Sequence, residues 1–153
     1  MKDGLEIKRE LYRKCTEYID QRIESIQKKL DDVAESRLNE TKSSAGDKHE
    51  TGRTMMQLEE QKATVQLYAA RDVKLVLDQI DVEQSNPQIG LGSLIICNTG
   101  NYYLAISAGK IEIESIKYYA ISMQSPMGLA LIGKETGDNV EFNGKTLEII
   151  EIW

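Results

Sequence analysis

The sequence predicts an α+β chain: an N-terminal antiparallel helical coiled-coil hairpin, then a small antiparallel β domain with one short helix. Three observations predict it. Apolar residues in the first half recur at three- and four-residue steps, a helical period. A short polar break divides that half into two runs of similar length. Beyond residue 87 the pattern changes to short β-rich runs separated by turn residues.

The first helix rests on Leu11, Cys15, Tyr18/Ile19, Ile23, Ile26, Leu30 and Val33, which fall on one face. No glycine or proline interrupts residues 5–39. The break spans residues 39–46, where Thr41, Ser43, Ser44 and Gly46 are poor helix-interior residues. A second helix follows on Met56, Ala63, Leu67, Ala70, Val73, Leu77 and Ile80, with Ala63 and Ala70 small enough for close approach. Two such helices joined by a short loop pack antiparallel, and about 28 residues per arm give a rod of about 40 Å. The hairpin is assigned to residues 1–84, with its tip near 40–52. Residues 88–153 form the second domain, after Ser85-Asn86-Pro87.

In that second domain, residues 93–97 and 102–106 read as a hairpin around Asn98-Thr99-Gly100-Asn101, and residues 117–122 as another strand. Ser125 and Pro126 suit the N-cap and first position of a short helix, and Gly133 suits its end. Residues 140–142 and 145–152 flank Asn143-Gly144, a favoured two-residue turn.

Composition narrows the function. The net charge is −6 and neither half of the chain is basic, which argues against autonomous DNA binding, since phosphate neutralisation dominates such affinity. A protein partner fits better. No apolar run approaches the roughly 20 residues that span a bilayer, so no membrane partner is expected. Met1-Lys2-Asp3-Gly4 leads directly into charged helical sequence, and a cytoplasmic location is expected. Cys15 and Cys97 lack a CxxC partner and read as reduced, buried thiols. A single histidine, His49, disfavours a zinc site or a Ser-His-Asp triad.

The break carries Gly46-Asp47-Lys48-His49-Glu50, which places two carboxylates at the far end of the rod. Asp47 and Glu50, at i and i+3 on an opening helix, share a face and suit one Mg²⁺ or an ion and its water. The same spacing also suits a capping box at the start of the second helix, or a merely solvated charged loop. His49 reads as an exposed residue, with proton transfer the alternative. Arg22, Lys28 and Lys29 suggest either an RNA-facing patch or a solvated helix face, and Met127 and Leu129 either docking contacts or core.

Two segments resemble the bacterial Gre transcript cleavage factors. Ser125-Pro126-Met127-Gly128-Leu129-Ala130-Leu131-Ile132-Gly133-Lys134, followed by Gly137-Asp138-Asn139-Val140, is similar to the family's C-terminal signature. Gly46-Asp47-Lys48-His49-Glu50 is similar to its Gly-Asp-x-x-Glu tip. The resemblance implies an FKBP-like C-terminal domain that docks at the rim of the RNA polymerase secondary channel, with Ser125, Pro126, Met127 and Gly128 as partner-binding residues. It implies a coiled coil that enters the channel. There Asp47 and Glu50 would act on the polymerase's Mg²⁺ and an attacking water, so that the polymerase cleaves the backtracked RNA 3′ end. The chain would then be no enzyme by itself and would hold no cofactor in isolation. One departure stands out: the family commonly continues Asn-Ala-Glu-Tyr after Glu50, whereas this chain has Thr51-Gly52-Arg53-Thr54. That opens the alternative of a channel-binding regulator without cleavage. A coiled-coil adaptor unrelated to polymerase is a further alternative. Prolyl isomerisation is disfavoured, because aromatic residues are few and fold alone does not confer function.

Overall fold

The computed structural model describes residues 2–41 and 46–153, with side chains for 2–39 and 51–153. Its elements are α1 (Gly4–Thr41), α2 (Gly46–Asp78), β1 (Leu94–Cys97), β2 (Asn101–Ala105), β3 (Gly109–Ile113), β4 (Ile116–Ser122), α3 (Pro126–Leu131), β5 (Asn139–Phe142) and β6 (Lys145–Ile152). The expected α+β architecture is present: two long helices, then a six-stranded sheet with one short helix. The Asp3 carboxylate accepts from the Glu6 N–H at 2.9 Å and so caps the start of α1. Backbone packing groups the chain into two compact units, residues 1–18 with 75–153, and residues 19–74.

In the unit of residues 19–74, Ile19, Ile26, Ala63, Leu67 and Ala70 are buried, as the helical period requires. Ile19 rather than Tyr18 takes the inward position; Tyr18 is exposed. Leu30, Val33, Met56 and Val73 are only half-buried, because two helices alone cannot cover both flanks of an apolar stripe. Ion pairs Asp20–Lys74 and Arg37–Glu60 cross from α1 to α2.

In the other unit the strand order is β3-β4-β2-β1-β6-β5. The hairpin β1–β2 pairs Leu94 with Tyr103 and Ile95 with Tyr102. β5 and β6 pair around Asn143-Gly144, whose φ values of 51° and 75° are those of a type I′ turn. One core forms between the sheet and α3 from Ile89, Ile95, Cys97, Leu104, Leu131, Val140, Leu147 and Ile149. Leu11, Cys15 and Leu77, from the helix ends in this unit, are also buried. Tyr12 Oη donates to the Leu77 carbonyl at 3.2 Å, and buried Lys8 donates from Nζ to the Gln84 carbonyl at 2.9 Å. Arg9 forks onto both Glu83 oxygens at 2.8 Å.

Two features differ from the sequence expectation. The sheet is mixed rather than wholly antiparallel, because β2 and β4 run parallel, with Tyr102 opposite Tyr119 and Leu104 opposite Ile121. The chain leaves β2, forms the outer strand β3, and turns back through β4 into the slot beside β2. β3 itself was not foreseen. It is an edge strand with mostly exposed residues, and its turn is Glu114-Ser115 at φ 50° and 66°. Neither turn residue is the glycine or asparagine that normally announces positive φ.

Candidate functional site

Asp47 and Glu50 fall in the first turn of α2, so their backbone is helical as expected. Their side chains, and those of Lys48 and His49, lie outside the described residues, as does the connecting segment 42–45. Positions three apart on a helix are neighbours. Two carboxylates there supply hard oxygen donors of the kind Mg²⁺ takes. Among the described residues, no group of three or more His, Cys, Asp or Glu is gathered to hold a metal.

Behind the tip, α2 has a second apolar character. Met55, Leu58, Val65 and Tyr68 are each 60–69% exposed, on the side away from Ala63, Leu67 and Ala70. Arg22, Lys28 and Lys29 are exposed on α1. A groove of about 410 Å³ lies between the helices, lined by Lys29, Asp32, Val33, Glu59, Lys62, Ala63 and Gln66. Its two lysines are matched by two carboxylates, so it is not a basic track.

The C-terminal candidates divide by role. Ser125 Oγ donates to the Ser122 carbonyl at 2.7 Å and accepts from the Gly128 N–H at 3.1 Å, which caps α3. Pro126 follows at the start of the helix, and Gly133 follows its end at φ 81°. Gly128 is buried, and a Cβ there would lie 2.2 Å from the Ser122 carbonyl. Met127 packs, partly buried, against the core. Ser125, Met127 and Gly128 thus build the turn and helix. Pro126 is exposed and Leu129 is 65% exposed, and these two side chains are presented outward. Of the pair Met127 and Leu129, the structure sends the first inward and the second outward.

Both thiols are buried. Burial pushes Cys15 up to about 12 and Cys97 up to about 11, and both are free. Tyr103 is fully buried, and its hydroxyl has no hydrogen-bond partner among the described residues. Burial raises its pKa, with Cys15 and Tyr12 adding to the shift. The pairing of Arg37 with Glu60 was not foreseen in the sequence. The two lie 23 positions apart, and only the register between helices brings them together.

Fold and candidate site define a two-unit α+β protein, with a helical hairpin bearing an acidic turn and a sheet module whose short helix turns Pro126 and Leu129 outward. Residues 108–153 match the family model described as Transcription elongation factor, GreA/GreB, C-term. This C-terminal part of the chain is similar to the C-terminal domain of the GreA/GreB transcription elongation factors. The matched segment runs from β3 through β6 and includes α3; the helical hairpin lies outside it. No curated protein and no solved structure matches the chain. Among the described residues, no helix is long and apolar enough to cross a membrane.

Proposed function

We propose that this chain binds RNA polymerase, inserts its helical hairpin into the secondary channel, and stimulates the polymerase's own cleavage of backtracked RNA. The observation that carries the proposal is the pairing of a GreA/GreB C-terminal domain with a hairpin whose α2 opens on Asp47 and Glu50. A 33-residue helix is roughly 50 Å long, enough to carry a terminal turn deep into a partner. The exposed Met55, Leu58, Val65 and Tyr68 support the same reading, since such side chains on a shaft are accounted for when another protein surrounds it.

In this reading Pro126 and Leu129 on α3 contribute to docking, and the tip carboxylates act at the polymerase active centre. A bound Mg²⁺ there would stabilise the charge that builds on the attacking and leaving oxygens. Asp47 and Glu50 would orient the ion and the attacking water; the chain supplies ligands and position, not a complete active site. The test is a backtracked elongation complex incubated with wild type, Asp47→Ala and Glu50→Ala proteins. Wild type is expected to shorten the RNA, and each variant to lose cleavage while still co-migrating with polymerase. Uncut RNA with wild type, despite binding, refutes the cleavage step.

A second reading is favoured by one observation. After Glu50 the chain has Thr51-Gly52-Arg53-Thr54, so Arg53 stands where the resemblance to Gre factors implies an acidic residue. A tip weakened in this way would occupy the channel and regulate initiation or pausing without cutting. Bound polymerase, intact RNA and altered pausing together would identify it.

A further inference from the structure

Among the described residues, the fully buried contacts between α1 and α2 end at Ile26 on α1 and Ala63 on α2. Farther out, Leu30, Val33 and Met56 are only half-buried, and the groove beside Val33 and Ala63 leaves the seam incompletely filled. A helix pair without an interlocked core slides and twists at small cost, because no knob is fixed in a hole. In this stretch the Arg37 guanidinium reaches across to the Glu60 carboxylate.

We infer that Arg37 and Glu60 are positioning residues, which fix the register of α1 against α2 near the tip and so set where Asp47 and Glu50 are presented. The inference rests on the tip reading under Proposed function. Its physical part concerns the hairpin alone. The pair is half exposed, so its weight is that of a surface ion pair. A weight that small adds to the choice of register where the described apolar side chains of the seam are only half-buried. At the other end of the same unit, Asp20–Lys74 lies beside buried Ile19 and Ala70, where packing already fixes the register.

Two readouts on the full chain test it. Nitroxides at Leu38→Cys and Leu58→Cys, both exposed positions, report the distance between helices, and buried Cys15 and Cys97 stay unlabelled. Arg37 makes a further contact, so Glu60 carries the single-variant test. Glu60→Arg is expected to broaden the distance distribution, and Arg37→Glu with Glu60→Arg to narrow it again. In the cleavage assay, Glu60→Arg is expected to lower the maximal rate by up to about fivefold, the weight of a strong exposed pair. The concentration of factor at half-maximal rate should stay unchanged, and the exchanged pair should recover the rate. An unaltered distance distribution in Glu60→Arg overturns the inference. So does a raised half-maximal concentration with an unchanged maximal rate, which would mean that the pair affects binding rather than presentation. If wild type binds polymerase but never cuts RNA, the cleavage reading fails, and the distance measurement alone decides whether the pair sets the register.

Discussion

Gly128→Ala places one methyl group where the fold has no room. The added Cβ would lie 2.2 Å from the Ser122 carbonyl oxygen, 3.1 Å from the Met123 carbonyl oxygen and 3.0 Å from Ser125 Oγ. Two of those atoms are backbone, and Ser122 closes β4, so rotation of a side chain cannot relieve the contact. The start of α3 must move away, and it then loses the Ser125 cap, whose Oγ is held between the Ser122 carbonyl and the Gly128 N–H. Overpacking of this kind costs about 1–3 kcal/mol and a lost serine cap about 1 kcal/mol. The expected loss is therefore about 2–4 kcal/mol, a fall in Tm of roughly 10 °C for a chain of this size. Urea titration followed by far-UV circular dichroism measures it. A loss below about 1 kcal/mol would show that α3 moves freely and that the close approach is not a constraint. The paired control is Leu129→Asp, at a position 65% exposed. It should leave Tm unchanged and weaken polymerase binding, which separates the outward face of α3 from its foundation.

Three further outcomes are expected. Tyr103→Phe removes a fully buried hydroxyl that has no partner among the described residues, and it should raise stability by about 1 kcal/mol in urea titration; a loss of that size would reveal a hydrogen bond to that oxygen. With thiol pKa values of about 12 and about 11, Cys15 and Cys97 should react with a disulfide reagent at pH 8 only after unfolding, and fast labelling of the native protein contradicts their burial. Arg9 holds the Glu83 carboxyl below its ordinary 4.5, chiefly through their hydrogen bond, so its stabilisation is present above that pH and lost as pH falls through the folded value. Glu83→Gln should flatten that part of the acid limb, and an unchanged acid profile would show that the pair does not persist in solution.

Local chemistry determined much of this protein directly. A 3.6-residue period in Leu11, Cys15, Ile19 and Ile26 needs no knowledge of a partner helix to be read as a buried face. Ser125-Pro126 and Asn143-Gly144 set their own backbone angles, so the cap of α3 and the β5–β6 turn were legible residue by residue. The acidic spacing of Asp47 and Glu50 was legible for the same reason, since it depends on one short segment.

Tertiary structure decided what depends on the meeting of distant segments. β3 announces itself poorly, because the Glu114-Ser115 turn holds positive φ without glycine, and only pairing with β4 stabilises that strand. The parallel alignment of β2 with β4 follows from where the β3–β4 hairpin folds back, which no local pattern records. The same holds at the candidate docking helix. Sequence alone left Met127 and Leu129 equivalent, and packing against the sheet turned one into core and left the other outside. Arg37 and Glu60 meet only where the two helices lie side by side, a relation between segments 23 positions apart that neither helix carries alone.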